Sequence, residues 1–141
     1  MNFQIFRKLM ALPLNASERA VTTAIVYHVP KDGDSSFPSY ETIRKKSGCA
    51  NKTISKVIRT LIHAEIMERK HRANTFTGKE SNEYFFPFNG IRFTHDNLSH
   101  ADYAAMESKL KKLRTAVTKE MAEEAKQKKT GPKISSQMLV Q

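Results

Sequence analysis

The stretch Ser47-Gly48-Cys49-Ala50-Asn51-Lys52-Thr53-Ile54-Ser55-Lys56-Val57-Ile58-Arg59 decides the fold of this 141-residue chain. Ahead of it, residues 40–46 carry one helical apolar face and a basic flank, with Ser39 as a suitable N-terminal cap. Gly48 can turn the chain through a positive φ. After the turn, apolar residues recur at the spacing of a buried helical stripe: Ile54, Val57, Ile58, Leu61 and Ile62. The pattern predicts two helices joined by a tight turn.

The opposite face of the second predicted helix carries basic and hydrogen-bonding side chains. They are Asn51, Lys52, Thr53, Ser55, Lys56 and Arg59. Two short helices about a tight turn, the second apolar behind and basic in front, form a helix-turn-helix whose second helix fits the major groove of DNA. Lysine and arginine can donate to the O6 and N7 acceptors of guanine, and the amide of Asn51 matches adenine. A solvated charged face is the alternative interpretation.

A basic hairpin is predicted to follow the two helices. Residues 66–72 have the pattern of a strand, residues 73–80 form a loop, and residues 81–88 are a second strand rich in aromatic side chains. Four of its side chains are predicted to contact phosphates or the minor groove: Arg69, Lys70, Arg72 and Lys79. An ordinary charged hairpin is the alternative. Arg44 and Lys45, on the preceding helix, are expected to contact the DNA backbone and so position the domain.

The residues before this region predict one further helix with a clear start. Asn15 and Glu18, three positions apart, form a capping box, and the helix should end before Pro30 with Val21, Ala24, Ile25 and His28 on one face. Residues 1–14 fit either a strand or a short helix packed on the body. Phe37-Pro38 is expected to be extended, and residues 91–93 are either a third strand or a covering segment.

A long helix is predicted to begin at Ser99, which with Asp102 resembles a capping box. Apolar residues alternate three and four apart along it: Tyr103, Met106, Leu110, Leu113 and Val117. We favour a two-helix dimer seam for this stripe, and a helix packed back on its own domain is the alternative. Gly131-Pro132 should end the helix. The predicted division is therefore a DNA-binding domain over 1–97, a helix over 98–130 and a disordered tail over 131–141.

Composition narrows the class of partner. The formal charge of +10 and the pI near 9.8 favour a polyanion, either nucleic acid or an anionic membrane surface. Insertion into a membrane is not expected, because no run approaches the roughly 18 apolar residues of a spanning helix. The first residues lack the features of a secretory signal. The one cysteine, Cys49, is expected to be a buried thiol in a cytoplasmic protein.

Catalytic chemistry finds no support in the sequence. The only conceivable metal ligands in one cluster are His95, Asp96 and His100, and an ordinary polar loop explains them better. There is no glycine-rich phosphate loop, nucleophile elbow or metalloprotease motif. We therefore expect neither an enzyme nor a bound cofactor or metal.

Several runs of sequence carry a resemblance to a known family. They are Leu14–Glu18, Phe37–Ile43, Ser47-Gly48, Lys52–Ile58 and Leu61. These runs resemble the winged helix-turn-helix domains of plasmid and phage replication initiators and of mobile-element transcriptional regulators, over residues 12–88. The resemblance implies a recognition helix at Asn51–Ile62 and a wing at Arg69–Lys79.

Two positions depart from the family pattern. Ala50 stands where the family usually has a capping serine or threonine, which predicts that the cap shifts to Asn51. Glu65 stands where a glycine commonly turns the recognition helix into the wing. A non-glycine residue with positive φ would be strained, so a rerouted helix exit is expected there.

The sequence therefore predicts an α+β, mainly α fold, a winged helix-turn-helix with a C-terminal helical extension. The predicted function is sequence-specific binding of double-stranded DNA by a mobile-element protein of the replication-initiator or origin-binding type, as a homodimer that recruits replication or transcription machinery. A transcriptional repressor is the first alternative. A winged-helix protein–protein adaptor is the second.

Overall fold

The computed structural model describes residues 1–73 and 80–140, and the side chains within them except those of 72–73, 80–81 and 129–140. The described elements follow in the order α1 (Phe3–Ala11), α2 (Ala16–Val26), β1 (Ser35–Ser36), α3 (Tyr40–Ser47), α4 (Asn51–His63), β2 (Glu68–Ala73), β3 (Glu80–Phe85) and α5 (His100–Val140). The mainly helical order with a small antiparallel sheet confirms the predicted winged helix-turn-helix class.

The three strands form one antiparallel sheet in the order β1-β3-β2. In β2 and β3, Glu68 lies opposite Phe85 and Ala73 lies opposite Glu80. β1 begins two residues before the predicted extended piece Phe37-Pro38, because Ser36 pairs with β3 and its hydroxyl donates to the Ile25 carbonyl at 2.9 Å. Residues 91–93 form no strand, and Ile91 and Phe93 instead cover the core.

The N-terminal segment is a helix rather than a strand. The side chain of Asn2 caps α1 by accepting from the backbone N–H groups of Gln4 at 3.0 Å and Ile5 at 3.2 Å. The Asn2 amide also donates to the Gly33 carbonyl at 2.7 Å, which fixes the start of α1 against the turn before β1. Leu9 of α1 is fully buried. Capping and one apolar face together decide between the two predicted conformations.

The predicted capping box at the start of α2 is confirmed. Asn15 accepts from the Glu18 N–H, and the Glu18 carboxylate accepts from the Asn15 N–H, each at 2.9 Å. α2 ends at Val26, before Pro30 as expected. The prediction that His28 shares a face of this helix with the buried Val21 and Ile25 is wrong, because the helix ends two residues earlier and His28 is exposed.

The apolar stripe of α5 packs into the core of its own chain. Leu110 and Val117 are fully buried, Met106 is 9% exposed, and only Tyr103, at 40%, is substantially exposed. Leu110 belongs to the same cluster of buried side chains as Ile58 of α4. The interpretation of this stripe as a dimer seam is therefore wrong, because its side chains are already covered within the monomer.

A buried ion pair joins α5 to the start of α2. The Arg114 guanidinium donates from Nε to Glu18 Oε2 at 2.8 Å and from Nη2 to Glu18 Oε1 at 2.7 Å, and Nη2 also donates to the Pro13 carbonyl at 3.2 Å. The Glu18 side chain is only 2% exposed. The hydrogen bond to Glu18 raises the pKa of Arg114 above its ordinary value. Glu18 thus caps α2 and anchors α5 at once.

The C-terminal helix does not end at Gly131-Pro132 as predicted. Its backbone is helical to Val140. A proline inside a helix lacks the N–H that would donate to the carbonyl four residues earlier. Here that loss does not end the helix. The expectation of a disordered tail over 131–141 stays a prediction.

The exit from α4 keeps a strained backbone at Glu65 instead of being rerouted. Glu65 has a φ of 61°, in the left-handed region, and its carbonyl accepts from the Asn89 N–H at 2.9 Å. That hydrogen bond ties the helix exit to the chain after β3. The predicted rerouting is wrong because the left-handed residue leads directly into buried Ile66 and Met67.

Relief of this strain should stabilise the protein. A non-glycine residue in the left-handed region costs about 1–2 kcal/mol. The greater conformational freedom of glycine in the unfolded chain offsets about 0.5–1 kcal/mol of the strain that is relieved. We expect Glu65→Gly to raise the free energy of unfolding by about 0.5–1 kcal/mol, measured by urea denaturation. Glu65→Ala keeps the Cβ atom and should give no gain. An equal gain from both variants would locate the effect in the carboxylate instead.

Candidate nucleic-acid interface

A serine caps the start of α3, and a glycine at its end turns the chain into α4. The Ser39 hydroxyl accepts from the Thr42 N–H at 3.1 Å and begins α3. α3 ends at Gly48, whose φ is 74° and whose N–H donates to the Arg44 carbonyl at 2.9 Å. A left-handed glycine closing a helix in this way redirects the chain within a few residues. The predicted two helices about a tight turn are confirmed.

The second helix of the pair, α4, begins at Asn51. A cap at Asn51, as predicted, would have started the helix one residue later. Ala50 occupies the cap position with no side-chain hydrogen bond, and Asn51 is the first helical residue. The prediction that the cap moves to Asn51 is therefore wrong. The Asn51 side chain is exposed at this end of the helix. The apolar back of α4 is buried as predicted, with Ile54, Ile58 and Leu61 fully covered.

We call the face formed by Asn51, Lys52, Thr53, Ser55, Lys56 and Arg59 the front of α4. The structure brings all six predicted side chains onto this one helix. Asn51 and Lys52 are exposed, whereas the other four are half-buried. A groove of about 610 Å³ runs between the front and α5, lined on the α5 side by Thr118, Met121, Ala122, Glu124, Ala125 and Lys128.

The last front residue is held by two carboxylates of α5. Arg59 Nη1 donates to Glu124 Oε1 at 2.8 Å and to Glu120 Oε1 at 3.3 Å, and the Arg59 side chain is 25% exposed. The hydrogen bond to Glu124 raises the pKa of Arg59, and the same contact lowers the pKa of Glu124 below its ordinary value. His63 Nε2 lies 3.6 Å from Glu120 Oε2. Arg59 is therefore engaged by its own chain.

The order of these contacts gives the relative direction of the two helices. His63 and Arg59 meet Glu120 and Glu124, and the groove then continues to Lys52 on one side and Lys128 on the other. As the residue number falls along α4 it rises along α5, so the helices are antiparallel. α5 lies along the front from Arg59 to Lys52 rather than crossing it at one point.

The remaining predicted DNA contacts lie outside the front. Arg44 and Lys45 are exposed on α3, and Lys45 is 3.3 Å from Glu41 in an exposed ion pair. Arg69 and Lys70 are exposed on β2, with Lys70 stacked over the Phe85 ring at 4.8 Å. The side chain of Arg72 and the whole of Lys79 lie outside the described residues.

The structure also describes two other candidate groups, the Cys49 thiol and the turn at His95 and Asp96. Cys49, expected to be buried, is half-buried, with its Sγ atom 3.9 Å from the Ser47 carbonyl. His95 and Asp96 both have positive φ and form a tight turn closed by hydrogen bonds between Thr94 and Asn97. Within residues 1–73 and 80–140, no cluster of three or more His, Cys, Asp or Glu side chains could hold a metal.

Glu120 and Glu124 were not among the residues predicted for this site. They lie one helical turn apart on α5, and such a pair faces one direction on a helix. That spacing was visible in the sequence. Which surface the two carboxylates meet was not, because Arg59 is about 60 positions away along the chain.

Comparison with known proteins assigns the region around the turn. Residues 13–67 match the family described as a helix-turn-helix domain. Over this segment the chain is similar to helix-turn-helix domains. The matched segment spans α2, α3 and α4 and ends just before the wing strands. No curated protein and no solved structure is significantly similar to the chain.

The helix-turn-helix domain is a fold used for binding DNA, and its second helix here is α4. Asn51 and Lys52 at its start are exposed, and Lys56 and Arg59 are half-buried. Among the described helices, including α5, none combines the length and the apolar character needed to cross a membrane.

Proposed function

We propose that this chain binds double-stranded DNA at a specific sequence, with the front of α4 reading bases in the major groove. The observation that carries the proposal is the position of Lys52, Lys56 and Arg59 on one face of the second helix of a helix-turn-helix domain. Arg44 and Arg69 on neighbouring elements would contact phosphates and supply affinity by releasing counterions. The chain would act by binding and recruiting, without catalysis.

The biological role we propose is origin binding in the replication of a mobile element. It rests on the resemblance of residues 12–88 to plasmid and phage initiator domains. A transcriptional repressor is the second candidate, since the same resemblance extends to mobile-element regulators. A homodimer on a repeated site would raise the effective affinity. Its interface would have to lie away from Leu110 and Val117, which are buried in the monomer.

Selection from a random DNA pool tests the proposal. Duplexes with about 20 random base pairs, long enough for two half-sites, are enriched on the full chain, and binding is then measured by fluorescence anisotropy across a salt series. We expect the selected duplex to bind at least about a thousandfold more tightly than a scrambled one. Equal, weak binding to both that vanishes with salt would exclude sequence-specific recognition and favour the adaptor interpretation.

Removal of one front lysine should reduce specificity. We expect Lys56→Ala to cost about 1–3 kcal/mol on the selected duplex and much less on a scrambled one, because a base contact is lost only on the correct sequence. Lys112→Ala removes the same charge from an exposed position of α5 and is the matched control. An equal loss on both duplexes would reassign Lys56 to the DNA backbone.

A further inference from the structure

The front of α4 and a DNA major groove cannot meet while α5 stays where it is. The major groove is about 12 Å wide, and one α-helix with its side chains is about 10–12 Å across. Two helices packed about 8–10 Å apart are therefore too wide to enter side by side. Since α5 lies beside the front from Lys52 to Arg59, α4 cannot enter a major groove in this arrangement without α5 beside it.

The contact that closes the front is much weaker than the packing just before it. Up to Val117, α5 is anchored by fully buried apolar side chains and by the Arg114–Glu18 pair. From residue 118 to residue 128 no side chain is fully buried. Met121 and Glu124 are half-buried, and the other side chains of this segment are exposed. Ion pairs between partly exposed groups contribute about 0–1 kcal/mol each. Residues 118–128 can therefore leave the front without unfolding the core.

The boundary between the anchored and the weakly held parts of α5 has a feature that favours bending. The hydroxyl of Thr118 donates to the Arg114 carbonyl at 2.8 Å, and the hydroxyl of Thr115 donates to the Lys111 carbonyl at 3.3 Å. Threonine hydroxyls that bond back to the preceding turn often bend helices. A bend at this point would carry residues 118–128 away from α4 and leave Val117 buried.

We propose that residues 118–128 of α5 are an autoinhibitory cover on the front of α4, held closed by the contacts of Glu120 and Glu124 with Arg59 and displaced by DNA. The proposal rests on the proposed DNA-binding function. The two carboxylates accept hydrogen bonds from the Arg59 guanidinium, as a DNA phosphate or the edge of a guanine base would. The apparent Kd for DNA then equals the Kd of the open state divided by the fraction of molecules that are open.

Loss of the carboxylate charge should open the cover. Glu120→Gln/Glu124→Gln and the single Glu124→Gln are compared with Glu123→Gln, an exposed neighbour with no contact to α4 among the described interactions. Because Glu123→Gln makes the same charge change as Glu124→Gln, it controls for a general attraction to DNA. On the selected duplex we expect about fivefold tighter binding for Glu124→Gln and more for the double variant. Glu123→Gln should change binding less than twofold.

A second readout measures opening without DNA. Ser55→Cys in a Cys49→Ser background places a single thiol in the groove. Its alkylation rate should rise about fivefold when Glu124→Gln is added and should not change with Glu123→Gln. Increases in both alkylation rate and DNA affinity would support the cover.

Each other pattern overturns the proposal in a distinct way. No change in alkylation would mean that Glu124 does not hold the front closed. Faster alkylation with unchanged affinity for the selected duplex would mean that the contact does not limit DNA binding. Faster alkylation with no sequence preference in any variant would reject the cover and, separately, the proposed DNA-binding function.

Discussion

Replacing Arg114 with leucine should lower the free energy of unfolding by about 3 kcal/mol, measured by urea denaturation. The Glu18 carboxylate is almost fully buried, and Arg114 is the cation that neutralises it through two hydrogen bonds of 2.7 and 2.8 Å. Removal of one partner from a buried pair leaves an uncompensated charge in a poorly solvated place. The loss should exceed that of an ordinary surface substitution several-fold.

The chain offers a matched control for this prediction. Arg92 is exposed, and Arg92→Leu makes the same chemical change there, with an expected effect within about 0.5 kcal/mol. Arg114→Lys keeps the charge but loses the two-pronged geometry, so its loss should lie between the other two. If Arg114→Leu lowers the free energy of unfolding no more than Arg92→Leu does, the Arg114–Glu18 pair does not anchor the part of α5 before Val117.

The short-range part of the fold was predictable because its signals lie within a few residues of each other. Ser39 caps α3, Gly48 ends it, and the stripe of α4 falls on one face, so each structural decision there is local. The same logic located the capping box of α2. The left-handed backbone at Glu65 shows the limit of such rules, since a glycine is expected there by local preference alone.

The placement of α5 was not predictable, because the spacing of its apolar residues is the same for two different partners. A stripe at three- and four-residue intervals fits a second copy of the helix as well as it fits the helix's own domain. The choice depends on Leu110 meeting a core assembled from residues much earlier in the chain. The position of the six front residues on α4 follows from local spacing, but the contact of Arg59 with Glu120 and Glu124 follows only from the placement of α5.

Truncation of Leu110 distinguishes the two arrangements of α5 and should have the other large effect. Its side chain is fully buried, so Leu110→Ala should lower the free energy of unfolding by about 2–5 kcal/mol through lost burial and a residual cavity. Tyr103→Ala, on the same stripe but 40% exposed, should cost clearly less, about 1 kcal/mol.

Protein concentration is the variable that separates packing within one chain from a dimer seam. If Leu110 is buried within its own chain, the loss on Leu110→Ala is the same at every protein concentration, and the sedimentation mass of wild type and variant is unchanged. A dimer seam would instead make the wild-type unfolding midpoint rise with concentration and would make Leu110→Ala lower the mass. That second outcome would return the stripe to the dimer interface and, because α5 would then leave the core, would also remove the physical basis for a cover over α4.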